Sequence, residues 1–264
     1  MLPSGRHPSH NLILNKYPVI PGHCIVSTIE FKRQTDLLDD SDLAITHACL
    51  RSWEASSSES QPLRLFAFFN SGEHSGASQP HRHLQLLPIE EMVDPSAPKA
   101  WRPLIEMMRD PFLEHRNLNH ISSLPLQHFA MKIPERPTAE QLGHIYHKLL
   151  DTAQNAASSW LTGSASDITG DGQSGTDASI SYNLAMITDK MAICPRQREV
   201  ANFPTERGEG SVALNGTVLG GTLMVKERSE WDTLRHGHVD VDDILEQVGI
   251  PLPAQLARSL DTRL

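Results

Sequence analysis

A chain of 264 residues, 39% hydrophobic and 21% charged, can bury a substantial core as one large domain or two smaller ones. Its formal net charge of −9 argues against a general nucleic-acid-binding surface, which neutralises phosphates with clustered Lys and Arg, so any phosphate-bearing ligand is small and locally bound. No apolar run reaches the length of a membrane span, the first ten residues hold no signal-peptide core, and Cys24, Cys49 and Cys194 are scattered like buried thiols rather than a disulfide framework, so a cytosolic protein, with the nucleus as a further location, is expected.

Residues 11–16 and 24–28 read as strands around the proline turn Tyr17-Pro18-Val19-Ile20-Pro21-Gly22-His23. Residues 42–50 carry apolar side chains at helical spacing behind Ser41, which predicts an amphipathic helix capped by that serine and broken by residues 56–62. A strand over 65–69 delivers Asn70, and a strand over 83–89 leaves the loop that follows, so Asn70 and His81 are expected at the ends of adjacent strands, where ligand sites commonly form. Residues 98–115 and 138–161 are predicted helices, the second opening on the capping box Thr138-Ala139-Glu140-Gln141, with residues 124–133 extended between them. Residues 162–179 are rich in Gly, Ser, Thr and Asp and read as a flexible insertion. Two strands, 181–187 and 191–196, flank Thr188-Asp189-Lys190; two apolar runs lie within 212–225, and 240–248 is a final helix. Strand pairs mixed with separate helices, without a βαβ rhythm, predict an α+β fold.

The densest chemistry lies between Asn70 and Gln85, where a glycine-rich loop, Asn70-Ser71-Gly72-Glu73-His74-Ser75-Gly76-Ala77-Ser78, runs through Gln79-Pro80 into His81-Arg82-His83-Leu84-Gln85. Glycines let successive backbone N–H groups turn toward an anion and let a ligand approach the chain. In an extended segment His81, His83 and Gln85 project from one face, while Arg82, Leu84 and Leu86 project from the other. A neutral imidazole can attack phosphorus, and His83 is the candidate nucleophile, oriented by a backbone carbonyl or by His81. Gln85 suits a non-bridging phosphate oxygen, and Ser78 with the loop N–H groups suits developing negative charge. Cationic neutralisation of a leaving polyphosphate would fall to Lys16, Arg82, Lys190, Arg196 or Arg198. The competing reading makes His81 and His83, with His74 or His23, ligands of a transition metal; no Cys pair or carboxylate lies at helpful spacing, and no metal site is expected.

The whole stretch resembles the active-site loop of the histidine triad superfamily, in the branch shared by galactose-1-phosphate uridylyltransferases and diadenosine tetraphosphate phosphorylases. Those sites read Asn-x-Gly-x-x-x-Gly-x-Ser-x-x-His-x-His-x-Gln, and Asn70, Gly72, Gly76, Ser78, His81, His83 and Gln85 fill every position. The resemblance implies that His83 is the nucleotidylated residue, and Gln85 in place of a third histidine implies transfer rather than hydrolysis. The segment from Asn15 to His23, Leu124-Pro125-Leu126-Gln127-His128-Phe129, Ser181-Tyr182-Asn183-Leu184 and Cys194-Pro195-Arg196 look like the phosphorylases, also called ATP adenylyltransferases, over about Asn11 to Val225. The uridylyltransferase branch typically has Pro where this chain has Arg82.

That resemblance implies a histidine triad-like antiparallel sheet with flanking helices and a C-terminal subdomain. Residues 1–161 would form the catalytic region, 162–179 the insertion, and 180–264 the C-terminal region completing the fold. Family members carry several tens of residues before the Asn-Lys segment, so this chain is expected to be N-terminally short for the family. The implied reaction is reversible phosphorolysis of diadenosine tetraphosphate to ATP and ADP, with no cofactor required, although a divalent cation such as Mg can accompany the substrate polyphosphate. Partners would be dinucleoside polyphosphates, ATP, ADP and inorganic phosphate, with neither nucleic acid nor membrane, in a monomer or homodimer. Catalysis would rest on His83, His81 and Gln85, and substrate binding on Asn15, Lys16, Asn70, Gly72, Gly76, Ala77, Ser78, Asn183, Lys190 and Arg196. His23 and His128 read as structural. The alternatives are a hexose-1-phosphate uridylyltransferase-like enzyme and a non-catalytic nucleotide-binding relative.

Overall fold

The computed structural model describes residues 8–58, 62–93, 101–108, 124–162 and 179–252. The N-terminal hairpin pairs β1 (His10–Leu14) with β2 (Cys24–Thr28), Ile13 opposite Ile25. Helix α1 (Asp40–Glu54) starts earlier than its apolar periodicity suggested: Asp39, not Ser41, is the cap, and Asp42 accepts the Asp39 N–H at 2.8 Å in a reciprocal capping box. Acidic residues in the first turn also complement the helix dipole.

Strands β3 (Leu65–Ser71) and β4 (His83–Pro88) flank the glycine loop. Of the predicted 98–115 helix, α2 (Leu104–Met107) lies within the described residues; much of the remainder lies outside them, as does nearly all of the expected 162–179 insertion. After β5 (Phe129–Lys132), helix α3 (Ala139–Thr162) opens on the Thr138–Gln141 box, whose reciprocal bonds measure 2.9 and 3.2 Å. Strands β6 (Ser181–Ile187) and β7 (Lys190–Arg196) form a tight hairpin. Beyond them come a separate hairpin of β8 (Val200–Thr205) and β9 (Gly208–Ala213), a 3-10 turn (Gly216–Gly220), and helices α4 (Arg228–Arg235) and α5 (Val241–Val248).

Seven strands form one antiparallel sheet in the order β1-β2-β4-β3-β6-β7-β5. One face packs Leu84, Leu86, Phe69, Leu184 and Ile193 against Leu43 and Leu50 of α1 and Leu142, Tyr146 and Leu149 of α3. The opposite face packs Phe66, Phe68, Leu87 and Ala185 against Phe203, Val218, Ile244 and Val248 of the C-terminal segments. Each large apolar side chain so buried contributes about 1.5–3 kcal/mol, which fixes the strand register because a one-residue slip would turn every such side chain to the wrong face.

That register gathers residues distant in sequence. Ser27 lies opposite His83, Phe68 opposite Gln85, Asn70 opposite Asn183, and Asn183 opposite Cys194. His83 is therefore level with Asn70, and one row across the sheet joins Ser27, His83, Asn70, Asn183 and Cys194. No helix among the described residues is long and apolar enough to cross a membrane.

Candidate active site

His83 begins β4 on the sheet face opposite α1 and α3, and it is mostly buried. Its Nδ1 lies 2.8 Å from the His81 carbonyl oxygen. A carbonyl can only accept, so Nδ1 carries the proton and Nε2 presents a lone pair. Burial pushes the His83 pKa below the ordinary imidazole value; the His81 carbonyl opposes that shift and the His81 ring adds to it. The result is a held imidazole, favoured in its neutral form, with Nε2 unprotonated.

A buried glutamine that carries no motif signal braces this backbone. Gln34 Oε1 accepts the His83 N–H at 2.8 Å, and its Nε2 donates to the carbonyls of Asn70 (2.9 Å) and His83 (3.2 Å). It thus ties β3 to β4 where their ladder ends. Sequence reasoning missed Gln34 because a polar residue in a polar connection gives no indication of burial.

Packing and backbone conformation require the loop glycines. Gly72 and Gly76 take φ of +90° and +77°. A Cβ at Gly72 would stand 2.8 Å from the Ser181 Cα, and one at Gly76 would stand 2.8 Å from the Leu214 carbonyl oxygen. Asn70, Asn183 and Arg196, expected to meet substrate, are instead a buried brace for that loop. Asn70 Oδ1 accepts from Gly216 N–H (2.8 Å) and Asn183 Nδ2 (3.0 Å), while Asn183 Nδ2 also donates to the Ser75 carbonyl (2.8 Å). Arg196 donates to Asn183 Oδ1 and to the carbonyls of Arg198, Leu214 and Val248. Satisfied donors inside the protein leave a phosphate nothing to displace cheaply. Ala77 and Ser78 are exposed, as are Glu73, His74, Gln79 and Pro80.

Two other expected contacts lie elsewhere. Lys190 starts β7, at the opposite end of the strand from Arg196, and is buried with Nζ donating to the carbonyls of Glu106 (2.9 Å) and Met108 (2.6 Å). Arg82 projects to the other face of the sheet, as its alternation with His83 requires, and its Nη1 donates to Asp42 (2.8 Å) and Asp39 (3.0 Å). Lys16 is exposed, its ammonium 5.1 Å from the Tyr17 ring centroid. His81 places Nε2 3.0 Å from Thr28 Oγ1 and packs its ring on Phe31, so its carbonyl rather than its imidazole serves His83.

Gln85 is half-buried two residues beyond His83, directly opposite Ile25. His23 lies beside it. Its Nδ1 accepts from Asn15 Nδ2 at 3.0 Å, and its ring is near enough to Gln85 and His83 to feel both. The hairpin register sets His23, read as structural from the sequence, diagonal to Gln85. His128, also read as structural, is buried with Nδ1–H on the Leu126 carbonyl at 2.9 Å. Among the described residues no three His, Cys, Asp or Glu side chains converge to hold a metal ion.

Comparison with known proteins places the fold in a family. The family model of the Ap4A phosphorylase N-terminal domain matches residues 6–107, and that of the ATP adenylyltransferase C-terminal domain matches residues 122–251. Diadenosine tetraphosphate phosphorylase 2 of Saccharomyces cerevisiae is 27% identical over 248 residues, covering 92% of this chain and 70% of that protein. The crystal structure of yeast Ap4A phosphorylase Apa2 in complex with Ap4A superposes with a TM-score of 0.71 at 26% identity, over 93% of this chain and 75% of that one. The same protein in complex with AMP superposes with a TM-score of 0.69 at 26% identity and the same coverage. With both family models on one chain, together covering most of it, and a shared fold, the chain belongs to the Ap4A phosphorylase, or ATP adenylyltransferase, family.

Proposed function

We propose that this chain catalyses phosphorolysis of diadenosine tetraphosphate through an adenylyl group carried on His83. The observation that carries the proposal is the Nδ1–H bond of His83 to the His81 carbonyl, which leaves Nε2 unprotonated. Nε2 attacks one α-phosphorus, a P–N bond forms, the bond from that phosphorus to the bridging oxygen breaks, and ATP departs. An oxygen of inorganic phosphate then attacks the same phosphorus, the P–N bond breaks, and ADP leaves with His83 restored. Both steps are adenylyl transfers, so the sequence runs in either direction.

In this reading Gln85 donates to a non-bridging oxygen of the reacting phosphate, and the backbone of Ala77 and Ser78 meets neighbouring oxygens. A divalent cation travels with the substrate polyphosphate. Incubation with α-labelled diadenosine tetraphosphate without phosphate, followed by quenching, should leave acid-labile label on His83. Added phosphate should discharge it as ADP, and His83→Asn should show neither label nor turnover. Turnover retained by His83→Asn would refute the mechanism.

A further inference from the structure

We infer that Asn15, His23 and Gln85 form a directional hydrogen-bond relay that decides which end of the Gln85 amide meets the substrate phosphate, with His23 as the positioning residue. The inference rests on the adenylyl-transfer reading, in which Gln85 meets a phosphate at all. An amide side chain presents an oxygen on one arm and an NH2 on the other, and turning it by 180° exchanges a donor for an acceptor. At an anionic phosphate only the NH2 is useful. A fixed orientation therefore matters more here than the mere presence of Gln85.

The relay starts at a backbone group whose role is fixed. The Tyr17 N–H donates to Asn15 Oδ1 at 3.1 Å, so the other arm of Asn15, Nδ2, is a donor. It lies 3.0 Å from His23 Nδ1, which must accept. Neutral His23 then carries its proton on Nε2. That atom is buried and makes no hydrogen bond of normal length among the described residues. The strand register turns it toward Gln85, since Ile25 stands opposite Gln85 and His23 lies two residues along on the same face.

The one atom of the Gln85 amide that can accept from this N–H is Oε1. Once Oε1 is taken, the Gln85 NH2 is left for the phosphate. Protonation of His23 would require a proton on Nδ1 and break its bond from Asn15. The surroundings hold His23 neutral: burial pushes its pKa below the ordinary imidazole value and nearby His83 adds to this, with the Gln85 interaction opposing.

The test is a double-mutant cycle on diadenosine tetraphosphate phosphorolysis with His23→Phe, Gln85→Ala and the pair. His23→Phe is expected to lower kcat about 10- to 100-fold while KM changes less than about threefold, since misplacing a transition-state donor acts on the chemical step. In the Gln85→Ala background the same substitution should cost less than about twofold, because the group it positions is gone. Losses that multiply would overturn the relay, since His23 would then act independently of Gln85. Unchanged kcat in Gln85→Ala would overturn it as well. If His23→Phe fails to fold, Asn15→Leu carries the same cycle with the same criteria.

Nitrogen NMR of the His23 ring supplies a readout independent of turnover. The relay predicts the Nε2-protonated tautomer, with an Nε2 shift on addition of AMP that disappears in Gln85→Ala; the Nδ1-protonated tautomer, or no shift, overturns it. A protein that passes this NMR test yet releases no ATP and ADP from diadenosine tetraphosphate and phosphate supports the relay and refutes the functional reading.

Discussion

Replacing Arg82 by Met should destabilise the fold strongly, and adding Asp42→Asn should restore part of the loss. Arg82 and Asp42 are 3% and 0% exposed. Arg82 Nη1 donates to Asp42 Oδ2 at 2.8 Å, the same oxygen accepts the Asp39 N–H that caps α1, and the other carboxylate oxygen lies 2.7 Å from His10 Nε2. Removing the guanidinium leaves a buried carboxylate facing one imidazole, and breaking a buried pair in this way costs about 3–5 kcal/mol. With a urea m-value of about 3 kcal/mol/M, the unfolding midpoint should fall by roughly 1–2 M at neutral pH. Asp42→Asn removes the stranded charge yet keeps an amide oxygen for the cap, so the double variant should regain at least about 1 kcal/mol over Arg82→Met. Urea unfolding followed by circular dichroism measures all three proteins. A midpoint change below about 0.3 M for Arg82→Met, or a double variant no more stable than the single one, would refute this account of why a charged residue stands between the two histidines.

Because burial holds the His83 pKa below the ordinary value, the single-turnover rate of adenylylation should stay level as pH falls through about 6.5 and decline only below it, as Nε2 becomes protonated; a decline centred above 6.5 would contradict the held neutral imidazole. Gln34→Leu leaves the His83 N–H and two carbonyls without their partner; thermal unfolding should report a loss of about 1–3 kcal/mol or more, and kcat should fall more than KM rises. Lys190→Met removes the donor to the Glu106 and Met108 carbonyls, so stability should drop by about 1–3 kcal/mol while kcat/KM stays within about twofold; a large kinetic loss would return Lys190 to the site.

By itself the sequence determined what depends on near neighbours along the chain. The Thr138–Gln141 box, the hairpin around the proline turn, and the alternation that sets His83 and Arg82 on opposite faces all follow from local geometry and period. Local rules failed where a signal was short or masked. The β8–β9 hairpin holds Pro204, Gly208 and Gly210 among few apolar residues, and α4 is polar over most of its surface, although Glu227 and Glu230 form a capping box a closer reading could have found. Only the tertiary structure decided which polar residues are buried braces. Lys190 and Arg196 lie on one strand, yet one secures the carbonyls at the end of α2 and the other braces the glycine loop. Strand register and hydrogen bonds bring Gln34 against His83, and bring Asn15 and His23 together beside Gln85. Sequence spacing fixes direction within a strand, but pairing between strands is set by which faces bury apolar surface, a property of the whole sheet that no single segment contains.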